Sequence, residues 1–184
     1  MVLEIVKYGN SVLRAKGAEI STVDDGIKKL AADMLDTMNS ANGVGLAAQQ
    51  VGIPVQLAVI DVSEVDDRPS GMFVGGKKVE IAKHMPLVLL NPVLELGEEK
   101  EEGTEGCLSF PELSADILRS IRVKTTAKAL DGSELKFEAT GLLARALQHE
   151  VDHLHGILFI DRMTSAARAG MAGKLKRLQK DTRG

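Results

Sequence analysis

Two histidines four residues apart, with a glutamate beside the first, stand out in the segment His149-Glu150-Val151-Asp152-His153. Residues at that spacing lie one above the other on a single helix face. Both imidazoles can then reach one divalent ion. A glutamate next to the first ligand can hold a water and take its proton without binding the ion itself. The chemistry this spacing points to is metal-assisted hydrolysis.

Two histidines leave a catalytic metal site one protein ligand short. The third His of the longer HExxHxxGxxH pattern would fall on Phe159, and no Glu follows Glu150. His155, two residues past His153, points to the other side of a helix. His84 sits in a polar stretch that reads as surface. Cys107 remains, within Glu105-Gly106-Cys107-Leu108-Ser109. A lone cysteine is more often an inert small core residue; the missing third ligand is what singles this one out. A thiolate with two imidazoles leaves the fourth position open, which marks a catalytic rather than a structural site.

These residues need elements to hold them. Thr140 is placed to cap a helix that runs to about His155 and stops at Gly156, with Leu142 and Ala146 on the same face as His149 and His153. Before it, Arg119–Leu130 and Glu134–Thr140 flank Asp131-Gly132, a hairpin signal. Strand-like runs occupy 55–62 and 86–96, and Ile157–Ile160 reads as a short apolar strand. Residues 65–84 are polar and Gly-rich and read as a surface excursion. Residues 24–41 place Ile27, Leu30, Met34, Leu35, Met38 and Ala41 at helical spacing, with Thr22 or Asp24 as cap and Gly43 as stop. The last helix, roughly 163–180, sets Met163, Ala167, Met171, Leu175 and Leu178 on one side. Strands and helices are segregated rather than alternating, so the predicted class is α+β. The Gly-rich segment from Gly43 to Gly52 lacks a Lys-Ser/Thr ending and follows a helix, which argues against a phosphate loop.

At 184 residues the chain fits one ordinary domain, 1–184. A hydrophobic fraction of 44% with four Phe, one Tyr and no Trp means a core of aliphatic side chains and Met. The net charge of −3 excludes a general nucleic-acid binder. It is unevenly spread: seven Lys/Arg against two Asp in residues 161–184 give that segment +5 and leave −8 on the rest. The basic segment 163–184 could touch an anionic partner or simply be a solvated helix face. One cysteine allows no internal disulfide, which fits a reducing compartment. No signal peptide and no membrane-length apolar run is evident, so a cytoplasmic location and no membrane role are expected.

Three ordered motifs together resemble the peptide deformylase family: Gly43-Val-Gly-Leu-Ala-Ala-Gln-Gln50, Glu105-Gly-Cys-Leu-Ser109, and Gln148-His-Glu-Val-Asp-His-Leu-His-Gly156. The resemblance covers essentially the whole chain. It implies antiparallel or mixed sheets packed around a central metal-binding helix, with further helices near each terminus. It implies that Cys107, His149 and His153 bind the metal, that Glu150 is the general acid/base, and that the Gln50 side chain and Leu108 backbone N–H stabilise an oxyanion. Val44, Gly45, Leu142 and Ala146 would line a slot for a methionine side chain, with Arg145 and Glu105 near its rim. The implied substrate is a formyl-methionyl nascent peptide, and the implied ion Fe²⁺, with Zn²⁺, Ni²⁺ and Co²⁺ as replacements. Ribosome association through the basic tail follows from the same likeness. Sequence-specific nucleic-acid binding is not expected.

Two other classes are open. HExxH chemistry also cleaves peptide bonds, although neither common third ligand of such peptidases is present. A structural metal module or an RNA-associated protein is the non-enzymatic alternative; a closed structural site needs four protein ligands, and the spare histidines are poorly placed.

Overall fold

The structure, a computed structural model, describes residues 1–183. Helix α1 spans Asp25–Ser40. The Asp24 carboxylate accepts from the Ile27 N–H at 2.9 Å, so Asp24 rather than Thr22 is the cap. Leu30, Met34, Thr37 and Met38 form its buried face. The left-handed residue ending it is Asn42, at φ 56°, and Gly43 N–H returns to Met38 O at 2.9 Å.

Among the described residues nine strands follow: β1 Gly45–Ala47, β2 Leu57–Ile60, β3 Ser70–Val74, β4 Lys77–Lys78, β5 Leu87–Leu96, β6 Lys100–Cys107, β7 Phe110–Ser120, β8 Arg122–Lys128 and β9 Glu134–Thr140. Seven make one sheet in the order β1-β2-β5-β8-β9-β3-β4, and every pairing within it is antiparallel. β6 and β7 form a separate hairpin. Helix α2, Gly141–Leu154, packs on one face of the sheet, and helix α3 spans Ser165–Arg183. The α+β expectation is met.

β2 shows why the layers form. All four of its residues are buried. Leu57 and Val59 pack with α1 against Leu46 and Met34, while Ile60 packs with α2 against Leu143 and Leu147. A strand covered on both faces has to read as a continuous apolar run, and this one does. α2 is likewise buried nearly all round, as expected of a helix enclosed by other elements. A third cluster joins Leu13, Phe110, Phe159, Ile160 and Leu175, and seats α3 against the hairpin.

Five local expectations need correction. The polar stretch 65–84 hides β3, which pairs with β9 and buries Met72 at 3%; a five-residue strand containing Gly71 is too short for its alternation to be legible. Arg119 and Ser120 belong to β7, not to the Asp131-Gly132 hairpin, whose first strand starts at Arg122. Residues 157–160 form no strand. Leu158 leads into a 3-10 turn, Phe159–Arg162, closed by its N–H on the Asp161 carboxylate at 3.0 Å. Thr140 sits at the helix start without capping it: Ser70 Oγ accepts from Leu143 N–H at 2.9 Å instead. In α3, Ala167 is exposed while Leu175 is buried.

Candidate metal centre

α2 carries His149 and His153 one turn apart, with ring centroids 5.0 Å from each other. The tip of the β6–β7 hairpin brings Cys107 to them: its Sγ lies 3.4 Å from His153 Nε2. One ligand atom from each of the three lies within 4.8 Å of the others. His149 Nδ1 is engaged by Glu105 Oε1 at 2.9 Å, which leaves Nε2 as the nitrogen free to face this cluster. Burial holds the pKa of His153 well below the ordinary imidazole value, whereas at His149 the hydrogen bonds to Cys107 and Glu105 outweigh burial and hold it well above. A metal ligand must be a neutral imidazole, so His153 suits the role as it stands and His149 has to give up a proton to take it. The set, one sulfur and two nitrogens, fits a divalent transition ion.

Glu150 stands beside the cluster, its Oε1 4.0 Å from His149 Nε2. Its other oxygen, Oε2, is buried with no hydrogen-bond partner among the described residues. A buried unpartnered carboxylate oxygen is costly unless something reacts with it or occupies the space before it. Burial pushes its pKa up to about 7, partly offset by the nearby positive charge of His149. Gly45 makes this placement feasible, since a Cβ there would stand 2.8 Å from Glu150 Oε1.

Gln50 enters from the 3-10 turn Ala48–Val51. Its Oε1 accepts from Ala47 N–H at 2.9 Å, and this fixes which way the amide faces. The NH₂ group therefore points at the cluster, donating to Ser109 Oγ at 3.2 Å and approaching Cys107 Sγ at 3.6 Å. A cleft of about 480 Å³ opens over these groups. Val44, Gly45, Gln50, Glu105, Cys107, Leu108, Leu142, Arg145, Ala146, His149 and Glu150 all line it. Of the residues picked out from the sequence only His153 is not in its wall; it is buried at 1%.

A model of the polypeptide deformylase family matches residues 2–169 of this sequence. The chain belongs to the polypeptide deformylase family. It is 47% identical over 180 residues to the peptide deformylase of Methylacidiphilum infernorum, covering 98% of this chain and 94% of that one. To the peptide deformylase of Opitutus terrae it is 42% identical over 189 residues, 100% of this chain and 96% of the other. Among solved structures, Arabidopsis thaliana peptide deformylase 1B in complex with an inhibitor superposes with a TM-score of 0.84 at 36% identity, over 97% of this chain and 91% of that one.

The groups behind this deformylase cleft were the less legible part. Glu105 and Arg145 do line it, yet neither stands open at a rim. Arg119 Nε and Nη2 donate to the two Glu105 oxygens at 2.8 and 2.9 Å, and Arg145 Nη1 donates to Oε2 at 2.9 Å. Burial alone would raise the Glu105 carboxyl, but Arg119 and His149 together bring it down to about 2. Arg119 also donates to Asp152 at 2.7 Å, and Asp152 accepts from Arg162 at 2.9 Å. The Gln148 side chain clasps both the N–H and the C=O of Ser120, at 3.0 and 2.9 Å. Gln148 and Asp152 thus tie α2 to β7. Both lie inside the His motif, and Arg119 was visible as a charge among Ile117, Leu118 and Ile121; those were the signals available.

Proposed function

We propose that this cleft removes the N-formyl group from the N-terminal formyl-methionine of newly made polypeptides by hydrolysis, releasing formate. The observation that carries the reading is the convergence of Cys107, His149 and His153 beside the unpartnered oxygen of Glu150. Those three residues would hold one divalent ion, which supplies polarisation of the formyl carbonyl and acidification of water. Glu150 takes the proton of the attacking water and delivers it to the departing amine nitrogen. Gln50 Nε2 and the Leu108 N–H donate to the carbonyl oxygen as negative charge gathers there. Val44, Leu142 and Ala146 offer apolar surface to the methionine side chain. Atoms balance as water plus formamide giving formate plus a free amine.

Fe²⁺ is the proposed resident ion; the mixed sulfur and nitrogen set also accepts Zn²⁺, Ni²⁺ and Co²⁺. The proposed setting is the cytoplasm, where nascent chains emerge. None of the described helices is long and apolar enough to cross a membrane. Exposed Lys174, Lys176, Arg177 and Lys180 on α3 are the proposed ribosome contact.

The test is to purify the protein without oxygen, measure its metal content, and follow formate release from a formyl-methionyl peptide beside casein cleavage. About one metal per chain with formate release abolished by a chelator is expected. Casein cleavage without formate release would overturn the reading in favour of a peptidase.

A further inference from the structure

The seven-stranded sheet has an unfinished edge. β2 pairs with β5 only over residues 87–90, and the last rung on that side is Asn91 N–H on Gln56 O at 2.9 Å. Before Leu57 the chain leaves the sheet and runs beside Ala18 instead, through a parallel bridge at Val55. β5 continues to Leu96, and from Val93 onward its only strand partner among the described residues is β8. Gly97 N–H donates to Arg122 O at 2.9 Å, so in this register Glu95 and Val93 hold the hydrogen-bonded rungs to β8. Such rungs alternate along an antiparallel pair. The N–H and C=O of Leu94 and Leu96 therefore point the other way, into the space that β2 does not fill.

That space is a groove of about 560 Å³ between β5, β7 and α2. Val93, Leu96 and Leu118 line it and are 66, 55 and 52% exposed, three large apolar side chains gathered in water. The charged side chains of its wall are Lys100, Arg119 and Arg162, with His155 beside them, against Asp152 alone. Asp152 is already held by both Arg119 and Arg162. The groove is thus cationic in a chain whose net charge is −3. It shares no residue with the cleft over the metal cluster.

We propose that this edge takes an extended peptide segment of a partner protein, apolar at alternate positions and carrying a carboxylate, as an added strand beside β5. Leu94 and Leu96 supply the main-chain hydrogen bonds, Leu96 and Leu118 meet the apolar side chains, and Lys100 and His155 receive the carboxylate. A second copy of this chain fits worse. Pairing Leu94 of one copy with Leu96 of another sets the two Glu95 side chains opposite each other, and like charges directly across a strand pair are destabilising.

The test uses the metal-loaded protein and fluorescently labelled, acetylated hexapeptides with Val, Leu or Ile at the second and fourth positions, Glu or Lys at the sixth, and Ser elsewhere. Fluorescence polarisation reads their affinity. Peptides ending in Glu should bind about tenfold or more tighter than those ending in Lys, and added salt should shrink the difference. Methylating the backbone nitrogens of alternate residues should cost about tenfold in one register and little in the other, because only one set faces β5. Leu118→Glu should weaken the Glu peptides by about tenfold or more, and Lys100→Glu should erase the preference for Glu over Lys. Binding no better than that of an all-Ser hexapeptide overturns the proposal. Equal tolerance of methylation in both registers does so too, since it would leave an apolar surface and no added strand. Unchanged affinity in both Leu118→Glu and Lys100→Glu would place the peptides elsewhere and has the same result. A concentration-dependent dimer of the wild type that Leu96→Glu dissolves would give the groove to a second copy and equally overturns it.

Discussion

Glu105 Oε1 meets His149 Nδ1 at 2.9 Å, and the same carboxylate is gripped by Arg119 and Arg145, so the first histidine of the metal motif is oriented by a hairpin strand rather than by its own helix. The carboxylate stays ionised there because Arg119 and His149 outweigh its burial. An ionised partner fixes the tautomer of His149 and makes Nε2 a better donor to a metal. Glu105→Gln should therefore weaken metal retention by roughly ten- to a hundredfold. Competition with a graded chelator series measures this; wild-type retention in the variant would show that the contact is only packing.

Glu150 and Gln50 should separate cleanly in kinetics. Glu150 is buried, its pKa sits near neutrality, and nothing but its neighbour relationship ties it to the ligands. Glu150→Ala should keep the metal and lose about two to four orders of magnitude in turnover. Gln50 faces the cluster through its NH₂ group, locked by Ala47. Gln50→Ala should lower kcat by about a hundredfold with a smaller rise in KM, since its contact strengthens only as charge develops. Near-normal turnover in Glu150→Ala would sink the assigned mechanism.

Cys107, His149, His153 and Glu150 were legible because helix spacing is a local property and a ligand shortage can be counted. What the sequence could not convey were contacts closed by tertiary structure. Arg145 looks like a rim charge on a helix, yet β6 supplies it with carbonyl partners from Glu101 and Gly103. Lys100–Glu105 carries too much charge to announce a strand, although β7 pairs with it along its length. Leu158–Ile160 are apolar because Phe110 and Leu13 cover them, and an apolar run of that length does not declare whether it is a strand or a turn. Ser70 caps α2 from across 73 residues, a partner no local pattern reveals.

The C-terminal helix has to be tested by charge rather than by truncation. Leu175 is buried and Leu178 half-buried against the Phe110 cluster, so removing residues 174–183 would also expose core. Lys174, Lys176, Arg177 and Lys180 are exposed and can be reversed to Glu together. If they meet ribosomal phosphates, co-sedimentation with ribosomes at low salt should weaken by about tenfold or more, with a shallower salt dependence. Turnover of short formyl peptides should be preserved. Unaltered co-sedimentation removes the helix as a ribosome contact.

Asp161 gives a stability prediction with a definite sign in pH. It joins three parts of the chain: Arg14 in the turn Ser11–Arg14, the Leu158 N–H, and Arg168 in the first turn of α3 at 3.1 Å. Burial alone would raise its pKa, but the Arg14 hydrogen bond and then Leu158 and Arg168 bring it below the ordinary carboxylate value. A depressed carboxylate contributes stability above its unfolded pKa and loses it as pH falls through the folded one. With Arg14 and Arg168 both substantially exposed, the contribution is modest, about 1 kcal/mol. Asp161→Asn should thus be destabilised by about that much near pH 7, and the gap to wild type should close below about pH 4. Urea unfolding of both proteins at the two pH values reads it directly. A gap that persists undiminished in acid would mean that the Leu158 turn, which Asn can still cap in part, and not the charge, accounts for the loss.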